Sequence, residues 1–237
     1  MKRCFYDGDL RPGILELSRD ESHHLCTVSR AKKGIEVQVL NGAGSIANGV
    51  LVNPHDKFAA IEVNDVLYCR PREKKITLIQ AVLTNNNSDY IVREATAIGV
   101  SEIIFVETNN CESFVQHRLE AKSERWRALA ITACKQSGQP FLPKINYSHA
   151  LQDIDYTQFD TKILASLTSD SVFLRTVNFG EKICLAIGPE GDFSKTEYDF
   201  FTEQGFVSCR LARNVLRSET AAIYALSIID QLTANDD

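Results

Sequence analysis

The chain lacks any spacing that would commit its cysteines to a shared task. Seven are scattered along 237 residues, Cys4, Cys26, Cys69, Cys111, Cys134, Cys184 and Cys209, and no two stand in a C-x-x-C arrangement. An odd count without that spacing supports neither a disulfide framework nor a zinc site, so no metal is expected. Reduced thiols in a cytoplasmic protein are the expectation instead. The opening residues 1–10 have no apolar run of the signal-peptide kind. No stretch approaches the roughly 20 consecutive apolar residues of a membrane span. Neither G-x-x-x-x-G-K-[ST] nor G-x-G-x-x-G occurs, which argues against a nucleoside-triphosphate cradle and a dinucleotide fold. Low-complexity tracts and internal repeats are absent too, and 44% hydrophobic against 24% charged residues is the balance of a globular chain.

Positive charge is also short overall. The net charge is -5 and the pI about 5.6, which argues against a wholly basic nucleic-acid surface. The basic residues are nevertheless clustered: Arg30, Lys32 and Lys33 in one group, and Arg70, Arg72, Lys74 and Lys75, opposed only by Glu73, in another. Either cluster reads as a solvated loop or as a local phosphate-binding face. The closing residues Asn235, Asp236 and Asp237 add acidic charge at the other end.

The length suits two domains. Residues 1 to about 70 read as short strands (35–40, 46–52 and 59–66) around a strong turn, Asn41-Gly42-Ala43-Gly44, with one short helix over 21–29. Closely spaced strands with glycine-rich turns predict a small β-barrel. The charged, proline-containing segment Cys69-Arg70-Pro71-Arg72-Glu73-Lys74-Lys75 is the boundary, which divides the chain into 1–71 and 72–237. Beyond it, strands at 76–83, 103–107, 162–167, 183–187 and 207–211 alternate with helices at 88–98, 118–136, 194–204 and 219–232. That order predicts an α/β domain with a mostly parallel sheet covered on both faces.

Two strand-to-helix turns carry the candidate chemistry. Gly188-Pro189-Glu190-Gly191-Asp192-Phe193-Ser194 follows an apolar strand and precedes a helix, a place where open α/β sheets bind ligands. Ser194 and Glu197 fit a capping box, and Phe193 and Tyr198 a hydrophobic staple. The turn reads equally as a structural connection or as a ligand loop whose two glycines let backbone approach a bound molecule. The second turn, 211–221, runs through Arg217, Ser218 and Glu219 into a helix that is apolar nearly all round and so calls for burial on several sides. Arg217 and Glu219 are either a surface ion pair or site residues.

Taken together these motifs resemble the RsmE family of 16S rRNA (uracil-N3) methyltransferases, of the SPOUT superfamily. The first turn is similar to that family's G-P-E-G-G-F-S signature, and Leu216-Arg217-Ser218-Glu219-Thr220-Ala221 to its L-R-x-E-T-A. Arg125-Trp126 resembles its R-W segment, Lys135-Gln136-Ser137-Gly138-Gln139-Pro140 its Q-S/C-G-R segment, and Thr96-Ala97-Ile98-Gly99-Val100 its E-L-G-V stretch. At the front, residues 24–30 with Gly34 resemble H-x-x-x-V-L-R-x-x-x-G, and the Asn41–Gly44 turn its D-G-x-G. The chain departs from the family's usual residue at Asp192 (Gly), Asn214 (Arg), Ala212 (Gly), Ala97 (Glu), Gln139 (Arg), Thr84 (Lys) and Ser29 (Leu).

The resemblance implies a PUA-like RNA-binding β-barrel over 1–71 and, over 72–237, a SPOUT α/β-knot methyltransferase domain with a C-terminal trefoil knot that pairs as a homodimer. It implies S-adenosyl-L-methionine (SAM) as methyl donor, held by Leu167, Ile187, Gly188, Gly191, Leu211 and Leu216 with Glu190 and Asn214 beside them. The substrate implied is 16S ribosomal RNA or the small ribosomal subunit, with neither DNA nor a membrane as partner. Arg217 would stabilise charge on the uracil carbonyls, and Glu219 or Glu190 would take the N3 proton. Glu190 could equally be an acceptor for backbone N–H groups. Arg30, Lys32, Lys33, Arg70 and Arg72 would contact RNA. Two other readings stand beside this one: a protein that binds RNA without turnover, and an enzyme of the same superfamily acting on another RNA such as tRNA.

Overall fold

The computed structural model describes residues 1–83, 86–111 and 119–234. Thr84, Arg118 at the expected start of the long helix, and the closing Asn235, Asp236 and Asp237 lie outside them. The chain forms two compact units, Met1–Pro71 with Ile131–Leu142, and Arg72–Ala130 with Pro143–Asp237.

The first unit is built on β1 (Lys2–Phe5), β2 (Gly13–Glu16), β3 (Glu36–Leu40), β4 (Ser45–Asn53) and β5 (Ala60–Tyr68), in the order β1-β3-β4-β5-β2. Only the β1–β3 pair is parallel. Strict alternation in β4 sends Ala47, Gly49 and Leu51 inward, as expected of a sheet with one covered face. They join Val37, Val39, Ile61 and Val63 and, from outside the sheet, Leu10, Leu17 and Leu25. The predicted short helix is present but starts earlier, as α1 (Arg19–His23), because the Ser18 hydroxyl accepts from the Glu21 N–H. It passes directly into a wider turn, His24–Val28.

The Asn41–Gly44 turn needs its glycines. Gly42 and Gly44 lie at φ 71° and 95°, in the left-handed region that favours glycine, and Asn41 Oδ1 accepts from the Ala43 and Ser45 N–H groups. A Cβ on Gly42 would fall 2.7 Å from Leu142, and one on Gly44 2.6 Å from the Phe141 ring. Both partners belong to the returning segment Ile131–Leu142, which includes the last turns of the long helix α3 (Leu119–Ser137). Arg3 donates to the terminal carbonyls of that helix at Lys135 and Gln136, and Lys135 pairs with Glu21.

The second unit is a seven-stranded, all-parallel sheet. Its strands are β6 (Lys75–Ala81), β7 (Glu102–Val106), β8 (Lys144–Ser148), β9 (Thr161–Ala165), β10 (Val172–Phe173), β11 (Lys182–Ile187) and β12 (Val207–Arg210), in the order β10-β12-β9-β11-β6-β7-β8. Successive residues Cys184, Leu185 and Ala186 of β11 are all fully buried, so both faces of the central strands are covered. The helices α2 (Asn87–Ile98), α4 (Lys195–Glu203) and α5 (Ser218–Thr233) fall within a residue or two of expectation. Strands β8 and β10 carry no predicted counterpart: they are short strands at the two ends of the sheet, half-buried or exposed, without an apolar run to announce them.

The Arg125–Trp126 pair has a packing role. Arg125 and the Trp126 indole N–H both donate to the Asp89 carboxylate in the first turn of α2, and the Trp126 ring stacks on Phe105 of β7 with centroids 4.2 Å apart. Helix α5 buries one side only, through Ala221, Ala222, Ala225, Leu226 and Ile229. Its other side leaves Tyr224 and Leu232 44% and 49% exposed.

Candidate active site

The two candidate turns meet. The turn after β11 and the turn between β12 and α5 together line a cavity of about 530 Å³, with the end of β9 contributing to it. Leu167, Ile187, Leu211 and Leu216 supply apolar wall, and Gly188, Glu190 and Asn214 line it as well. The volume lies within the roughly 300–1,000 Å³ of small-molecule sites. Arg217 and Glu219 also line the cavity. Neither side chain makes a hydrogen bond or ion pair to any described residue, so the two are not paired with each other.

Gly191 is the one residue of the expected cofactor set that does not line the cavity. A Cβ there would fall 3.2 Å from Asn110, and the Asn110 side chain donates to the Gly191 and Asp192 carbonyls. Its neighbour Asn109 donates from its backbone to Glu197 Oε1 and from its side chain to the Ser194 hydroxyl. Gly191 thus leaves room for the 109–110 turn to pack against it. At Gly188 a Cβ would meet the Phe193 ring at 3.2 Å. Close packing, not a left-handed backbone, explains glycine at both positions.

The exit of the turn is fixed as the sequence suggests. Ser194 and Glu197 form the reciprocal capping box, and the Phe193 and Tyr198 rings pack edge to face at 6.1 Å. The departure at Asp192 has a structural reading: its φ is 61°, where glycine is the usual occupant and Asp one of the few tolerated alternatives. Its carboxylate accepts from the Phe193 N–H at 2.8 Å and the Tyr198 hydroxyl at 3.0 Å. The Tyr198 hydroxyl is pushed up to about 12, by burial first, with the Asp192 carboxylate adding to it against a hydrogen bond with Ser166.

Sequence reasoning passed over Ser218 and Gln80. Ser218 Oγ accepts from Gln80 Nε2 at 3.0 Å and donates to the Gly188 carbonyl, joining the two turns through the strand between β11 and β7. The available signal was a lone Gln inside the apolar run of β6, since a buried amide requires partners.

The expected RNA contacts divide. Arg30, Lys32, Lys33 and Arg70 are exposed on the first unit, with Arg30 at φ 51°. Arg72 belongs to the second unit, where its guanidinium pairs with Asp230 of α5.

Residues 70–230 match the family model of an RNA methyltransferase domain, and residues 17–64 that of an RNA methyltransferase PUA domain. A protein of Aquifex aeolicus named ribosomal RNA small subunit methyltransferase E is 31% identical, over 95% of this chain and 97% of its own length. The Borreliella burgdorferi protein named ribosomal RNA small subunit methyltransferase E 2 is 29% identical, over 98% of each chain. Among solved structures, a Legionella pneumophila protein described as a methyltransferase, in complex with the bound cofactor SAM, superposes with a TM-score of 0.89 at 26% identity, over 97% of this chain and 96% of that one.

Proposed function

The chain belongs to the RNA methyltransferase family, and from that premise we propose that it transfers the methyl group of SAM to N3 of a uridine in 16S ribosomal RNA. The observation that carries the reading is one cavity lined by both signature turns, with the side chains of Arg217 and Glu219 in its lining and without a hydrogen-bond or ion-pair partner among the described residues. SAM supplies a methyl group already activated on a sulfonium, so no metal is called for. Leu167, Ile187, Leu211 and Leu216 with the Gly188 backbone would hold it, and the apolar wall would exclude water from the transfer. Arg217 would donate to a uracil carbonyl as N3 gives up its proton, keeping its charge at any working pH. Glu219 or Glu190 would accept that proton. The new N–CH3 bond forms as the S–CH3 bond breaks, leaving S-adenosylhomocysteine.

Arg30, Lys32, Lys33 and Arg70 of the first unit would bind RNA phosphates. The reading carries a cytoplasmic location with it, and among the described residues no helix is long and apolar enough to cross a membrane. A homodimer would cover the outer side of α5, where Tyr224, Ile228 and Phe173 border one groove. Nucleoside mass spectrometry of 16S RNA, with and without the protein, tests the reaction. Single-turnover methylation beside SAM titration tests Arg217: Arg217→Ala and Arg217→Lys should both slow transfer while SAM affinity stays near the parent's. Near-normal turnover in both would remove Arg217 from the mechanism.

A further inference from the structure

Behind the cavity runs a hydrogen-bond chain with one direction. Gln80, fully buried between Ile79 and Ala81 in β6, donates from Nε2 to the Ala81 carbonyl and to Ser218 Oγ, both at 3.0 Å. Ser218, the first residue of α5 and itself buried, donates its only proton to the Gly188 carbonyl. It must therefore accept from Gln80, so the Gln80 amide has to turn its nitrogen toward Ser218. The consequence is visible at the other amide atom: Gln80 Oε1 is buried and has no hydrogen-bond partner among the described residues. A buried acceptor left unmade is costly, and an apolar side chain of similar length would avoid it. At its far end the chain ties the Gly188 carbonyl to the residue that separates Arg217 from Glu219.

We infer that Gln80 and Ser218 are positioning residues for methyl transfer, whose directional hydrogen-bond chain locks the cofactor-side turn at Gly188 and the Arg217–Glu219 turn into one register. The inference rests on the methyltransferase reading of the cavity. Neither residue contacts the reacting atoms in this scheme. They act through the backbone of Gly188 and through the start of α5, so both cofactor affinity and the rate of transfer depend on them.

The test uses the full chain and four variants, Ser218→Ala, Ser218→Thr, Gln80→Met and the double variant Gln80→Met with Ser218→Ala. SAM affinity is read by calorimetry, transfer by single-turnover methylation at saturating SAM, and folding by the unfolding midpoint. Ser218→Ala and Gln80→Met should each weaken SAM binding about tenfold and slow transfer about tenfold or more, because small misplacements of reacting groups have large effects on rate. Ser218→Thr keeps the hydroxyl and should restore both to within about twofold, and the double variant should be no worse than the worse single one, since both sever one chain. Folded single variants with the parent's affinity and rate would overturn the inference. So would losses that multiply in the double variant, or a Thr variant no better than Ala. If the parent itself neither binds SAM nor methylates RNA, the methyltransferase reading falls; if the parent does both and the variants match it, only this inference falls.

Discussion

Asp192 offers a test in which backbone conformation and side-chain bonding pull in opposite directions. At φ 61° a residue with a Cβ pays roughly 1–2 kcal/mol against glycine, Asp somewhat less. The carboxylate offsets this by accepting from Phe193 and Tyr198, at about 1 kcal/mol for each bond. Asp192→Ala loses both bonds while the backbone strain, already present with Asp, rises only slightly, a destabilisation of about 2.5 kcal/mol. Asp192→Gly loses the bonds but relieves the strain, less the extra freedom of glycine in the unfolded chain, for a net of about 1.5 kcal/mol. Asp192→Asn keeps an acceptor for the Phe193 N–H and should cost under about 1 kcal/mol. In a domain of this size the Ala variant should melt about 5–10 °C below the parent and the Gly variant about 3–6 °C below. Trp126 is the single tryptophan and is buried in the second unit, so its fluorescence reports on the unit that holds Asp192. Equal losses in Ala and Gly would mean that φ is no constraint here. A Gly variant as stable as the parent would mean that the carboxylate contacts contribute nothing.

Alkaline titration should unfold the protein progressively above pH 9. Burial raises the Cys4 and Cys134 thiols to about 12 and the Cys209 thiol to about 11, from an ordinary 9.0. These groups stay protonated in the folded chain while the unfolded chain ionises, so the stability they contribute is full below pH 9 and is lost as pH rises toward 12. A urea midpoint that stays flat across that window would refute the attribution, and Cys134→Ala should lessen the slope. Sedimentation at micromolar concentration should show a species of twice the 26.5 kDa chain mass, and Tyr224→Glu, which places charge on the exposed side of α5, should return the chain mass with the fold intact. A parent that sediments only as the single chain would refute the dimer.

Much of this was legible in the sequence for identifiable reasons. The central strand β11 is an unbroken apolar run from Ile183 to Ile187, because both faces are covered, and the caps of α2 and α4 stand on Gly99 and Ser194. The first signature turn stood out because it follows such a strand, and the second because it runs into the apolar helix α5. What stayed hidden depends on partners distant in sequence. Nothing near Gly191 reveals that Asn110 occupies the space beside it, and nothing near Arg72 reveals Asp230. Asp192 reads as a lost glycine until its backbone angle and the Tyr198 hydroxyl are seen together. The strands β8 and β10 owe their existence to pairing with β7 and β12 rather than to their own composition.

The return of Ile131–Leu142 to the first unit bears on the order in which the protein can be made. When residue 71 leaves the ribosome, every strand of the five-stranded sheet has been synthesised. The Leu142 and Phe141 side chains that pack over Gly42 and Gly44 have not, nor has the helix end that receives Arg3. A second stretch of chain about as long as the first must be translated before they arrive, and β6, α2 and β7 emerge in the meantime. The amino-terminal unit is thus begun first and finished late. A fragment cut at the charged linker would be a nascent intermediate, not a product.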